Sequence, residues 1–249
     1  MKLNYYKILI LLILPLNLLG QVVTQTESVE SNFFPMPGWK TRTGIVAEFT
    51  RIDPTTATTP TATYLTSGYA ATATAFAAAT SAVTGGGSNA IMLNSFVSVS
   101  ADTAIIISKP FDFSNNGGVA PTLSFWVYRN NQFSTFNDRL EVFWSGVSPG
   151  SGATLTPINH QGSSNVINRV TGLAPVVAPA GGAGWFEYKF TLPTTAPYNT
   201  KRNYFVIRGI TQGGNNIYMD KFTVNTYPTA MLATDVQFDM IQQNAATTS

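Results

Sequence analysis

Eight residues, Thr122–Arg129, read TLSFWVYR, and their alternation narrows the fold class sharply. At the period of two that a strand imposes, Leu123, Phe125 and Val127 share one face, while Ser124, Trp126 and Tyr128 share the other. Both faces can be buried, so the segment predicts a central strand. The same period recurs downstream. Arg139–Ser145 sets Leu140, Val142 and Trp144 against Glu141 and Phe143, and Trp185–Leu192 sets Phe186, Tyr188, Phe190 and Leu192 against Glu187 and Lys189. Ala90–Val99, Ala104–Lys109, Asn203–Ile210 and Ile217–Val224 complete the clear strands, with weaker ones near Leu155 and over Val166–Val170. Gln212–Asn216 supplies Gly and Asn for the turn between the last two, because both tolerate positive φ. Charged residues make up only 10% of the chain, against about 25% in soluble domains, so the Glu, Lys and Arg of long helices are missing. The chain is predicted to be all-β, a two-sheet antiparallel jelly-roll sandwich.

The N-terminus predicts export. Lys2 and Lys7 precede the apolar run Ile8–Leu19, and Gly20 offers a small residue for cleavage before Gln21. About twelve apolar residues are too few to span a bilayer core comfortably. No cysteine occurs anywhere, which excludes a lipoprotein anchor, disulfides and thiolate metal sites. The formal charge of +2 belongs wholly to this signal. Without residues 1–20 the chain carries twelve basic and twelve acidic residues. A neutral chain does not suit nucleic acid or a polybasic membrane surface. The expected organisation is a signal peptide over 1–20, a flexible lead-in over 21–32, a sandwich over 33–228, and at 229–249 a linker or the start of a following domain. Residues 53–90 are an Ala/Thr-rich stretch that predicts loops with one or two irregular strands. Ala233–Ile241 reads as a strand that has nothing to pair with in its own tail.

No catalytic constellation stands out. His160, the single histidine, lies in a Pro-Ile-Asn-His-Gln-Gly stretch and reads as a solvated loop residue; Ser163 and Ser164 are too near it to signal a triad, and no Gly-x-Ser-x-Gly elbow occurs. Asp138 and Glu141 are three apart, on opposite faces if both are in a strand, and Glu187 stands alone, so paired glycosidase carboxylates are not expected. The chain is read as a non-enzyme. Asp112 and Asp220 sit within apolar strand text, and a buried carboxylate needs a partner. That partner is either a structural calcium ion, with oxygens from Asn115-Asn116, Asn137-Asp138 or Asn215-Asn216, or an arginine such as Arg129, Arg139 or Arg208, or a turn. The loop from Arg129 through Asn130, Asn131, Phe133 and Phe136 to Asn137 joins two strong strands and is rich in amides and aromatics. With Tyr128 it is the expected ligand-binding surface. Trp126, Trp144 and Trp185 are expected in the core. Asp102-Thr103-Ala104 fits a short O-glycosylation acceptor motif but also an ordinary turn.

Several segments, taken in order, resemble the choice-of-anchor J and cleaved-adhesin domains of secreted Bacteroidetes proteins, which are related to the MAM family. They are Phe34-Pro-Met-Pro-Gly-Trp39, Gly87–Leu93, Ile106–Ser114 with its Lys-Pro-Phe-Asp-Phe centre, Leu123–Tyr128, Asp138–Trp144, Gly184–Tyr188 and Ile217–Phe222. They span about residues 30–227. The resemblance implies a concanavalin-like sandwich, non-catalytic, secreted or at the cell surface through type IX secretion, and engaging an extracellular glycan or a surface protein. It also implies acids at Asp112, Asp138 and Asp220 that would hold structural calcium. Two alternatives fit the same text: the accessory N-terminal domain of a truncated secreted glycoside hydrolase of sialidase type, or a purely structural spacer.

Overall fold

A computed structural model of the chain describes residues 23–27, 34–45, 47–52, 90–95, 101–116, 118–131, 133–150, 153–160, 163–170, 173 and 184–226. The expected signal peptide, the Ala/Thr-rich stretch up to residue 89 and the tail with its Ala233–Ile241 strand lie outside the described residues. No helix among the described residues is long and apolar enough to cross a membrane.

Among the described residues twelve strands form two sheets in which every pairing is antiparallel. In chain order they are β1 (Val23–Glu27), β2 (Lys40–Arg42), β3 (Phe49–Ile52), β4 (Ala90–Leu93), β5 (Thr103–Ile107), β6 (Thr122–Arg129), β7 (Arg139–Ser145), β8 (Thr156–Pro157), β9 (Val166–Asn168), β10 (Gly184–Thr191), β11 (Tyr204–Ile210) and β12 (Ile217–Thr226). The first sheet runs β10-β6-β12-β4-β3, with β1 also on β12; the second runs β2-β5-β11-β7-β8, with β9 also on β7. The architecture is the expected two-sheet antiparallel sandwich. β1 lies within the segment expected to be a lead-in, and β2 and β3 were not legible as strands. β4 stops at Leu93, short of the expected Val99; Asn94 and Ser95 leave the ladder, and residues 96–100 lie outside the described residues.

The alternation of β6, β7 and β10 is realised as the sequence dictates. Leu123, Phe125 and Val127 meet Leu140, Val142 and Trp144 of the opposite sheet, with Tyr188, Phe190, Phe205 and Ile207, in one buried core. Phe125 stacks on Phe190 at 5.6 Å and on Phe222 at 5.1 Å between ring centres. Such aromatic pairs add about 0.5–1.5 kcal/mol each beyond their burial. A β-bulge makes the second stack available. The register of β12 on β6 shifts between Asp220 and Thr223, and Lys221 takes φ 51°. The extra residue resets the strand's phase, so Phe222 and Val224 turn inward as Ile217 and Met219 do. Gly209 brings the sheets close: a Cβ there would lie 2.6 Å from Leu93 Cδ2 and 2.9 Å from Phe49 Cζ.

The outer face of the second sheet carries its own small apolar cluster. Ile107, Phe143, Tyr204 and Val206 are buried there, with Ile105 and Leu155 against them. Residues between β7 and β8 fold over this face and leave a cleft of about 250 Å³. The connections β2–β3, β4–β5, β6–β7, β9–β10 and β11–β12 all pass between the sheets at one end of the sandwich, as the registers of their strands require.

Candidate functional site: the crossover end and the β6–β7 loop

At that end the chain buries an ion pair. Asp138, just before β7, and Arg169, just after β9, both have side chains 0% exposed, with Arg169 Nε 2.9 Å from Asp138 Oδ2. The other carboxylate oxygen accepts the backbone N–H groups of Gln212 (2.7 Å) and Gly214 (3.3 Å) and the hydroxyl of Ser95. A third link runs from the Arg169 N–H to the Asp138 carbonyl, 2.9 Å. This one acid therefore ties together the β4–β5, β6–β7, β9–β10 and β11–β12 connections. Gly214 must be glycine for the approach to be possible, since a Cβ would sit 2.2 Å from Asp138 Oδ2 and 2.8 Å from Arg169 Nη2.

Arg169 spends its remaining donors on the β6–β7 loop. Nη1 donates to the carbonyl (3.2 Å) and side-chain oxygen (2.9 Å) of Asn130; Nη2 donates to the carbonyls of Phe133 (3.2 Å) and Phe136 (2.8 Å). Asn215 Nδ2 donates to the same Asn130 oxygen at 3.2 Å, and Asn137 Nδ2 to Asn168 Oδ1 at 3.1 Å. Phe133 takes φ 49° and its carbonyl accepts the N–H of Phe136 at 3.0 Å, which closes the tip into a turn. The backbone of the loop is thus held from beneath by a planar, fully buried fork of donors. Its aromatic side chains are turned outward: Phe133 and Phe136 are each 45% exposed.

The expected ligand residues divide accordingly. Asn131, Phe133 and Phe136 are exposed and Asn137 is half-buried. Tyr128 was expected at the surface and is instead 4% exposed, set edge-on between Trp185 at 5.6 Å and Tyr218 at 6.4 Å on the outer face of the first sheet. Burial raises its phenol pKa above the ordinary value. Arg129 is 3% exposed because the period of β6 turns it to the inner face, where Nη2 donates to the Val170 carbonyl at 2.8 Å and the positive charge lies near the Tyr188 phenol. Asn130 is buried as the Arg169 acceptor. Of the three tryptophans expected in the core, Trp144 is there, with Nε1 donating to Asn203 Oδ1 at 2.9 Å. Trp126 and Trp185 lie half-buried on the outer face of the first sheet.

Asp112, Asp138 and Asp220 are not brought together, and no three His, Cys, Asp or Glu side chains converge among the described residues. Phe111 and Phe113 both turn into the core, stacked at 6.1 Å, so the period of two puts Asp112 outside; its carboxylate accepts the N–H (2.9 Å) and hydroxyl (2.6 Å) of Ser114 in a turn. Asp220 is buried beside the bulge, where Oδ1 accepts the Lys221 N–H at 2.6 Å. Asp102 has a turn-building role: its carboxylate accepts the N–H groups of Ile45 (3.0 Å), Ala47 (2.6 Å) and Thr103 (2.8 Å).

His160 is not the solvated loop residue that its sequence context predicts. It is 0% exposed, packed edge-on to Tyr188 at 5.3 Å and Phe190 at 5.8 Å, with Nε2 bonded to the Val166 carbonyl at 3.1 Å. Desolvation pulls its pKa below the ordinary value; the Val166 carbonyl opposes this and the Arg129 charge adds to it. Glu141 faces outward and accepts Arg139 Nε (3.0 Å) and Arg208 Nε (3.0 Å). Arg169 was not singled out from the sequence, and its one signal was being a charged residue in text that has few.

No family model matches the chain, and no curated protein matches it. Solved structures do. The K1 cleaved adhesin domain of Lys-gingipain from Porphyromonas gingivalis W83 is 15% identical, with 83% of this chain and 99% of that one covered, at a TM-score of 0.49. TmCBM27, a carbohydrate-binding module described in terms of specific mannan recognition, is 13% identical over 84% of this chain and 99% of that one, TM-score 0.40. The C-terminal family 22 carbohydrate-binding module of Clostridium thermocellum Xyn10B is 12% identical over 84% and 94%, TM-score 0.41. These neighbours are adhesin and carbohydrate-binding modules.

Proposed function

We propose that the chain is a non-catalytic module of the choice-of-anchor J and cleaved-adhesin kind, exported to the cell surface or beyond it, that binds extracellular glycan through the tip of the β6–β7 loop. One observation carries this reading. A fully buried arginine is committed to three backbone carbonyls and an amide oxygen of that loop, while the two phenylalanines at its tip stay 45% exposed. Exposed apolar rings destabilise nothing that the fold needs, and a backbone fixed in advance lowers the ordering cost of binding. Two rings on a rigid tip suit the apolar face of a sugar, with the exposed Asn131 beside them; Asn137 braces the loop through Asn168.

The test is a double substitution, Phe133→Ser with Phe136→Ser, assayed against a glycan array and by affinity gel with intact polysaccharides. Covering the exposed half of one phenylalanine ring contributes about 0.7–1.5 kcal/mol, so binding should weaken by about threefold to tenfold per ring, with the protein still folding cooperatively. Wild-type protein that retains no glycan, or a double variant that binds as well as wild type, would overturn the reading.

A further inference from the structure

The outer face of the second sheet gathers most of its charge from cations. Strand alternation puts Lys40 and Arg42 of β2, Arg208 of β11 and Arg139 of β7 on that face; Lys40 is in register with Ile107 of β5, and Arg42 and Arg208 with Ile105. Glu141 is the one carboxylate among the described residues there, and it is shared between Arg139 and Arg208. Four cations against one anion, in a chain that is neutral without its signal, make a localised positive field.

The same face is shaped. The cleft of about 250 Å³ has Ile105, Ile107, Val206 and Leu155 as an aliphatic floor and wall, Pro149 above, and Arg42 at its rim. Arg42 Nη2 donates to the Pro149 carbonyl at 2.5 Å, which fixes the guanidinium at the opening while its other donors stay available. Beside the cleft Arg208 lies flat over the Phe143 ring at 4.7 Å, held there by Glu141. Arg42 and Arg208 fall on one rank, two strands apart, a separation of about 10 Å.

We infer that this face docks an acidic polysaccharide, carboxylated or sulfated, with one sugar ring in the cleft. The ring's C–H face lies on Ile105, Ile107 and Val206, its acidic group meets Arg42, and acidic groups further along the chain reach Lys40 on one side and Arg208 with Arg139 on the other. Rows of cations separated by apolar strips match a polymer that repeats charge at the spacing of its sugars. An acidic protein would not need a roofed apolar cleft, and a phosphate backbone has no apolar ring face to offer. The inference rests on the module being a glycan binder, but it concerns a surface distinct from the β6–β7 loop and adds the charge of the ligand.

The experiment compares polygalacturonate with its fully methyl-esterified form, which keeps the chain and masks the charge, and includes chondroitin sulfate, neutral mannan, duplex DNA and vesicles of anionic lipid. Purified protein is expected to bind one or both acidic glycans, with affinity falling by about tenfold or more between about 50 and about 500 mM NaCl. Binding of the methyl ester should be weaker by a similar factor. The Lys40→Gln, Arg42→Gln variant should lose about tenfold for the acidic chain and melt close to wild type, since both side chains are exposed and the change removes one hydrogen bond, to the Pro149 carbonyl. Equal affinity for acid and ester, a double variant equal to wild type, or DNA and vesicles bound as tightly as the acidic glycans would each overturn it. Mannan bound with no acidic glycan bound refutes the charged surface while leaving the glycan-binding reading in place; no glycan bound at all removes both.

Discussion

Asp138 and Arg169 hold the crossover end as a unit, and the two residues should fail as a unit. Removing one partner leaves the other as a buried, uncompensated charge, at about 3–5 kcal/mol. Arg169→Met and Asp138→Leu are each expected to lower unfolding stability by about that amount. The double variant should cost well under the sum, because each single change already strands the same network. Urea denaturation of the four proteins checks this; strictly additive losses would mean that the two side chains act independently. His160 gives a pH signature with a defined sign. Its native pKa lies below the ordinary 6.5, so the unfolded chain takes up a proton that the native one refuses. Its contribution is therefore full above about pH 6.5 and lost as pH falls from there toward the lowered native value. Wild type should lose more stability between about pH 7.5 and about pH 5.5 than His160→Gln does, by urea midpoints; parallel losses would remove His160 as the cause. His160 also shows why residue identity alone misleads. Its polar neighbours in sequence suggest solvent, whereas its neighbours in space are Tyr188 and Phe190, which are remote in the chain.

At the scale of elements, the two sheets meet closely where Gly209 of β11 faces Leu93 and Phe49. Gly209→Ala should destabilise by about 1–3 kcal/mol through overpacking, with no effect on glycan binding. A melting temperature equal to wild type would show that the sheets can part there. The strands that could be read clearly from the sequence were β4, β5, β6, β7, β10, β11 and β12, and the strict alternation of β6, β7 and β10 made those three the plainest. β2 escaped notice because three residues, Lys-Thr-Arg, with two exposed cations carry no apolar signal. β1 is an edge strand and gains its place from the backbone pairing of Val23–Glu27 with Phe222–Thr226, which leaves little mark on side-chain choice. The bulge in β12 is likewise a matter of phase, visible only once Phe222 is seen facing inward. The β6–β7 loop was legible as a site because amides and aromatics between two strong strands are unusual. What pins it was not, because Arg169 lies 31 residues from Asp138, with the whole of β7 and the turn-rich segment after it between them. Asp112 sits between phenylalanines in sequence, and because both rings turn into the core the period of two sends the aspartate out to solvent.

The whole molecule presents two unlike surfaces: a rigid aromatic tip at the crossover end and a basic, cleft-bearing sheet face that begins beside it at Arg139. Continuity between them means that a long glycan could touch both, with the tip reading ring faces and the sheet reading charge. The pairing of β1 with β12 has a consequence for any load the chain carries. Val23 stands opposite Thr226, so the start of β1 and the end of β12 flank each other at one corner of the first sheet. Tension applied through those two flanks would pull the strands apart from that shared corner, breaking their hydrogen bonds in sequence and never all at once. Such a seam opens like a zipper, with β1 and β12 parting one hydrogen bond at a time.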